Sequence, residues 1–187
     1  MKRRTMLALP FAAAILPLAA REDEPLWGLL RAGGQVVLVR HAVTDPGVGD
    51  PPGFRLEDCG SQRNLSEPGR REAQRLGEVL RQRQVPVAQV LTSPWCRCRD
   101  TARIAFGRDA VPEPALGNLF GRPRQEAQQV AALRQLVRAP ARGNLFMVTH
   151  GSTIYALTGV SPGTVEMVVL APQPGGDFRV AGRIAPD

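Results

Sequence analysis

Between its polar ends, the stretch Gln35–Arg40 (Gln-Val-Val-Leu-Val-Arg) is apolar and β-branched with no polar alternation. A strand of that kind has no face to offer water, so it belongs inside a sheet that helices cover on both sides. Val87–Thr92 reads as a second buried strand, and Asn144–Thr149 (Asn-Leu-Phe-Met-Val-Thr) is another continuous apolar one. Segments of helical period separate them. Ser66 is a good N-cap with Pro68 just inside the first turn, and Ala73, Leu76, Val79 and Leu80 share one face of a helix ending near Arg83. A second helix is predicted from Trp95 to Phe106, and a third from Gln125 to Arg138, where Val130, Leu133 and Val137 recur at helical spacing. Ser152–Leu157 reads as a short helix, and Thr164–Leu170 and Phe178–Ile184 read as closing strands. The alternation predicts an α/β fold, a three-layer sandwich around a mostly parallel central sheet. A chain of 187 residues, 43% hydrophobic and without internal repeats, suffices for one core rather than two, expected over residues 21–187.

The first 20 residues stand apart. Lys2, Arg3 and Arg4 precede an apolar run from Met6 to Ala20, and Arg21-Glu22-Asp23-Glu24 follows. This reads as a secretory signal peptide cleaved near Ala20, and Arg3-Arg4 ahead of Thr5-Met6-Leu7 resembles a twin-arginine signal. The apolar run is short for a membrane span. The expected location is periplasmic or secreted, with no stable membrane insertion once the signal is removed. Three positive charges of the formal +7 belong to this segment, which leaves +4 on the remainder. Those remaining cations are all arginine and are scattered, a poor match to a nucleic-acid surface. Cys59, Cys96 and Cys98 in an oxidising compartment predict one disulfide and one leftover thiol. Cys59 pairs with either Cys96 or Cys98, because bridging Cys96 to Cys98 conflicts with disulfide geometry. The sequence sets no oligomeric state.

In open α/β sheets, ligands bind beyond the carboxyl ends of the strands. The reactive residues of this chain gather there. Its two histidines, His41 and His150, each follow directly on a buried strand, with Arg40 before the first and Gly151 after the second. Ser93-Pro94-Trp95-Cys96-Arg97 follows a third strand. A lone histidine at a strand end is usually a satisfied structural residue, but two of them among arginines are equipment for a phosphoryl group. Guanidinium donors hold the equatorial oxygens, and a neutral imidazole attacks phosphorus in line to give a phosphohistidine that water opens. Gly151 lets backbone approach a ligand, and the helix it opens adds N–H donors. The long loop Val43–Asn64, with Arg55 and Arg63, and the segment Gly117–Gln128, with Arg122 and Arg124, are expected to flank the pocket and read the leaving group. No Cys-x-x-Cys or His-x-x-x-His spacing suggests a metal, no Gly-x-Ser-x-Gly elbow suggests a serine hydrolase, and a P-loop lacks its lysine because Lys2 is the only one. No cofactor or metal is expected.

The sequence resembles the histidine phosphatase superfamily, which includes the cofactor-dependent phosphoglycerate mutases. Leu38-Val39-Arg40-His41-Ala42, Ser93-Pro94-Trp95-Cys96-Arg97 with Thr101-Ala102, and Val148-Thr149-His150-Gly151 carry the resemblance in the family's order, and Asn64-Leu65-Ser66 with Gly69 and Ala73 adds to it. The resemblance implies a phosphoglycerate mutase-like fold and a phosphomonoesterase acting on a small phosphorylated substrate. It implies that His41 is phosphorylated, that Arg40, Arg97 and His150 bind the phosphoryl oxygens, and that Thr44 sets a hydroxyl near phosphate. Ala42 replaces the family's usual glycine. The proton donor departs further: where many members carry Glu or Asp, Ala115-Leu116-Gly117-Asn118-Leu119-Phe120 offers Asn118, which cannot protonate an alkoxide. Asp45 and Glu166 are the candidate substitutes. Without either, water or a low-pKa leaving group must suffice and simple alkyl phosphates should be poor substrates, or the protein binds phosphate without turning it over. A phosphomutase fits poorly, since so short a chain leaves little room for a substrate cap.

Overall fold

The computed structural model describes residues 23–138, 140, 142–175 and 177–186. The expected signal peptide, residues 1–20, lies outside them. Among the described residues five α-helices, α1 (Glu24–Ala32), α2 (Glu67–Gln82), α3 (Cys96–Phe106), α4 (Pro123–Leu136) and α5 (Gly151–Thr158), surround six strands: β1 (Val36–Arg40), β2 (Val87–Thr92), β3 (Val111–Pro112), β4 (Asn144–Thr149), β5 (Met167–Pro172) and β6 (Phe178–Ile184). No described helix is long and apolar enough to cross a membrane.

The sheet runs β3-β2-β4-β1-β5-β6. β3 pairs with β2, β2 with β4 and β4 with β1 to make a parallel block, while β5 pairs antiparallel with β1 and β6 antiparallel with β5. The expected mostly parallel sheet is therefore present, with an antiparallel hairpin closing one side. Every residue of β4 is buried, as are the first four of β1. Their side chains alternate between two cores. Val37, Val39, Phe146 and Val148 face α1, α2 and α3, whereas Val36, Leu38, Leu145 and Met147 face α4 and α5. This double covering is why the strands read as unbroken apolar runs, and it produces the three layers.

Most boundaries fall within two residues of those the sequence predicts, and three regions differ, one of them the two-residue edge strand β3, where the sequence carries no strand signal. Helix α1 was not anticipated; Trp27 and Leu30 bury its inner face, and Gly33 and Gly34, both at positive φ, stop it. Strand β5 begins at Met167 rather than Thr164, because Gly163–Glu166 is a turn. There the Gly163 N–H donates to the Glu166 carboxylate at 2.6 Å, and Val165 sits at φ 51°. Helix α2 begins as expected, with the Ser66 hydroxyl accepting from Gly69 N–H at 3.2 Å.

Helices α2 and α3 touch backbone to backbone at Gly77, where a Cβ would lie 2.1 Å from the Ala105 carbonyl oxygen. No flexible side chain can yield there. Gly77→Ala is expected to destabilise the fold by about 1–3 kcal/mol despite its better helix propensity, measured as the shift of a urea unfolding midpoint.

Candidate active site

The parallel block brings the carboxyl ends of β1, β2 and β4 to one edge. His41 N–H donates to Thr149 O at 2.9 Å and Ser93 N–H to Val148 O at 2.8 Å, so the residues that leave the three strands remain in register for one further step. Beyond them opens a cleft of about 450 Å³ lined by Arg40, His41, Arg63, Arg97, His150 and Gly151, together with rim residues from three loops. The rings of His41 and His150 meet edge to face, 5.3 Å between centroids.

His41 is buried, and burial pushes its imidazole down to about 3; the charges of Arg97, Arg40 and Arg63 add to this, against the opposing bond to Ala42. Its Nδ1 lies 2.8 Å from the Ala42 carbonyl oxygen. A carbonyl only accepts, so Nδ1 carries the hydrogen and Nε2 holds a free lone pair. The Ala42 N–H in turn donates to Thr101 Oγ1 at 3.1 Å, and that hydroxyl donates to the Arg97 carbonyl at 2.7 Å. Thr101 thus links the His41 turn to α3.

His150 is fully enclosed, and burial, then the fields of His41 and Arg97, hold it well below the usual histidine range. Arg97 Nη2, a donor only, faces its Nδ1 at 3.4 Å, which leaves the hydrogen on Nε2 for Ser93 Oγ at 2.8 Å. The edge of the Trp95 indole packs on the same ring, and the Cys98 thiol, pushed up to about 12 by burial, lies 3.5 Å from Nε2.

Three arginines meet in the cleft. Arg40 donates from Nη1 to Pro162 O at 2.9 Å, Arg63 donates to the Gly47 carbonyl, and neither forms an ion pair among the described residues. Burial and the neighbouring charges of Arg97 and Arg40 weaken the hold of Arg63 on its proton. Arg97 is 1% exposed and grips Asp50 with both ends of its guanidinium, at 2.6 and 3.2 Å. Asp50 also accepts from Trp95 Nε1 at 3.0 Å and from Arg63 N–H at 3.2 Å. Burial would raise its carboxyl, but these donors, Arg97 foremost, outweigh that and keep it below the usual range. Three guanidinium charges therefore meet one carboxylate, and the Nε–H of Arg40, Arg63 and Arg97 are each buried without a partner. An anion is what such a cleft lacks. Among the described residues no three His, Cys, Asp or Glu converge as metal ligands.

Of the residues expected at the site, Arg40, His41, Arg97, His150 and Gly151 come together. Thr44 does not join them: it forms a lone β-bridge with Leu65, off the cleft wall. Asp45 is exposed on that loop, where its N–H donates to Asn64 O. Glu166 is buried away from the cleft, holding its own turn through Gly163 and pairing with Arg183 at 2.9 Å, and it leads into β5, between β1 and β6. Of the four arginines expected to read a leaving group, only Arg63 lines the cleft. Arg55 pairs with Asp58, Arg122 lies over the Trp95 ring at 5.2 Å, and Arg124 is off the wall. The disulfide is Cys59–Cys96, with Cys98 free and buried, which resolves the open pairing. Sequence reasoning missed Asp50. Its only signal was an acid between Gly49 and Pro51 in a loop that had to return to the cleft.

Residues 36–119, which contain Arg40, His41 and Arg97, match the family model of the histidine phosphatase superfamily (branch 1). Solved structures share the fold. The protein histidine phosphatase SixA complexed with tungstate superposes with TM-score 0.55 at 19% identity, covering 81% of this chain and 97% of that one. SixA from Agrobacterium tumefaciens gives 0.51 at 24% identity over 82% and 99%. Phosphoserine phosphatase from Entamoeba histolytica, in complex with 3-phosphoglyceric acid, gives 0.59 at 12% identity over 81% and 96%.

Two predictions follow from this geometry. Both imidazoles are expected to stay neutral between pH 5 and 8 in NMR titrations of the anion-free protein, since folded values far below the ordinary range put their protonation under that window. Added phosphate should lift the His150 midpoint upward, because a dianion beside Arg97 favours imidazolium; a His41 midpoint near 6.5 without anion would contradict the assignment. Asp50→Ala leaves Arg97 buried without its carboxylate and is expected to cost about 3 kcal/mol in urea unfolding.

Proposed function

We propose that this chain, a histidine phosphatase superfamily protein over residues 36–119, is a metal-independent phosphomonoesterase that works through a phosphohistidine on His41. The observation that carries the reading is the state of His41: a neutral ring whose Nδ1–H is committed to the Ala42 carbonyl, with a free Nε2 in a cleft where three guanidinium groups face a single carboxylate. Nε2 attacks phosphorus, the ester P–O bond breaks opposite it, and its electron pair leaves on the oxygen of the departing group, which takes a proton from solvent. Arg40, Arg63 and Arg97 take up the charge of the equatorial oxygens, which the transition state spreads most widely, and His150, protonated as the dianion enters, donates to the same group. Water then attacks the phosphohistidine, the P–N bond breaks, and the electron pair returns to Nε2.

Asp50 is committed to Arg97 and is off the cleft wall, so no Asp or Glu is among the residues that line the cleft. Asn118 stands on the wall where the family resemblance places an acid, and its Oδ1 accepts from Phe120 N–H at 3.1 Å and from the Ser152 hydroxyl at 2.8 Å. Leaving groups that depart without a proton are therefore the expected ones, as the sequence alone suggested. The same observation favours a second reading, a phosphate-binding protein of this fold that does not turn over. Export to an oxidising compartment belongs to the main proposal, supported by the basic and apolar start of the sequence and by the Cys59–Cys96 bridge.

The deciding experiment is hydrolysis of p-nitrophenyl phosphate in EDTA by the protein and by its His41→Ala variant. The expected outcome is turnover by the first and a loss on the order of 10³-fold or more in the second. Tight binding of phosphate or vanadate with no hydrolysis of any ester would select the binding protein instead.

A further inference from the structure

Six large hydrophobic side chains stand exposed among the described residues, and three of them, Val48, Phe120 and Tyr155, are on the rim of this one cleft. They arrive from separate places. Val48 lies in the loop after β1, Phe120 in the loop before α4, and Tyr155 on α5, one turn after Gly151 and so on the same helical face. Val48 is 86%, Phe120 60% and Tyr155 57% exposed, so none contributes to the core, yet together they form an apolar collar above an arginine floor. Clustered exposure of this kind marks a binding surface, whereas single exposed apolar residues carry no such meaning.

The collar is tied to the missing acid by one residue. Asn118 Oδ1 accepts from both Phe120 N–H and Ser152 Oγ, which joins the Phe120 loop to the first turn of α5. The next carbonyl back, Gly117 O, accepts from Thr153 Oγ1 at 2.7 Å and from Gln129 Nε2 at 2.6 Å. The loop that lacks a proton donor is thus fixed so as to hold an aromatic ring at the mouth of the cleft.

We infer that the substrate carries its phosphoryl group on an aromatic ring, at a phenolic oxygen or a ring nitrogen, and that Phe120 and Tyr155 are specificity-determining residues that pack on that ring. The inference rests on the phosphohistidine reading above. Both halves of the cleft demand the same chemistry. A phenolate delocalises the departing electron pair and a ring protonated on its second nitrogen departs neutral, so either leaves without an acid from the protein, and the flat apolar faces of the ring are what a collar of Phe, Tyr and Val can bury. In the phenolic case Nε2 of His41 forms the P–N bond as the P–O bond breaks, the pair departs on the phenolate oxygen, and solvent supplies its proton. In the nitrogen case the ring enters with its second nitrogen already protonated from solvent, so that as the P–N bond to the substrate breaks the pair stays on a ring that departs as neutral imidazole. Water completes the second half, and the net reaction is hydrolysis in either case.

The test compares kcat/KM for phenyl phosphates of graded leaving-group pKa, N-phosphorylimidazole, ethyl phosphate and acetyl phosphate, using the protein and its Phe120→Ala, Tyr155→Ala and Tyr155→Phe variants. Thermal unfolding first confirms that these rim variants fold. Expected are a steep rise of rate as leaving-group pKa falls, and a preference for a ring substrate over acetyl phosphate that drops by about tenfold in either alanine variant. Tyr155→Phe keeps that preference, since it keeps the ring. The better of phenyl phosphate and N-phosphorylimidazole identifies which atom bears the phosphoryl group. A ratio unmoved in both alanine variants overturns the inference, and so does Tyr155→Phe losing as much as Tyr155→Ala, which would make the hydroxyl the working part. Hydrolysis of acetyl phosphate that His41→Ala abolishes shows the phosphatase reading standing even when the ring preference fails. Absence of such hydrolysis for every substrate overturns both.

Discussion

The buried pair between Arg97 and Asp50 is the interaction on which the cleft depends. Arg97 is among the largest fully buried side chains of the protein, and removing a guanidinium from water is tolerable only when its hydrogens meet acceptors of opposite charge. Asp50 meets two of them at once. The carboxylate is itself satisfied by the Trp95 indole and the Arg63 amide, so one acid on a loop organises a helix side chain, an aromatic wall and a second arginine. Arg97, held in place, then faces His150 and depresses both imidazoles through its charge. The protein keeps its histidines neutral by burial and by surrounding them with cations, an environment that disfavours imidazolium until an anion arrives.

Order in the loop after β1 has a covalent contribution as well. Cys59–Cys96 closes 37 residues of sequence separation and joins the loop to the first residue of α3, directly beside Arg97. By chain entropy alone a closure of that length is worth about 4 kcal/mol. Gln62, buried within the same loop, accepts from Cys96 N–H at 3.0 Å and donates to Arg55 O and Leu56 O. A loop rich in Gly and Pro would otherwise sample many conformations, and Asp50 and Arg63 would seldom meet Arg97 in one geometry. Packing, bridge and ion pair therefore act on the same segment, and they convert a long irregular stretch of the described residues into the wall of the site.

The other wall shows how a fold keeps its frame while its chemistry shifts. Leu116 O and Gly117 O accept from the Thr149 and Thr153 hydroxyls, which presses the Asn118 loop against β4 and α5. A carboxylic acid in that place would serve as a donor to a departing oxygen. The amide instead links Phe120 to Ser152, so the wall contributes shape and apolar surface where a proton donor would have stood. Pre-organised positive charge below and a ring-accepting rim above suit a leaving group that carries its own negative charge away.

How much of this was legible follows from the range of the forces involved. Covering on both faces wrote itself into Gln35–Arg40 and Asn144–Thr149 as unbroken apolar runs, and helical period and the Ser66 cap located the helices, so the order of elements and the three strand ends were readable residue by residue. Because parallel strands point one way, Arg40, His41, Arg97 and His150 had to share an edge. The partner of Arg97 was not readable: Asp50 is 47 residues away along a loop without period, and only the tertiary path of that loop decided that this acid, rather than Asp45, turns inward. Glu166 looked available because a sequence does not show that Gly163 and Arg183 already occupy it. The choice of Cys96 over Cys98 had the same origin, since positions two residues apart in the first turn of α3 point one thiol at the loop and the other into the core beside His150. Local patterning fixed what the strands and helices are and where reactive side chains leave them. Which charges end up paired was settled by distance in space, since desolvation and Coulomb energies act between neighbours that the chain brings together only on folding.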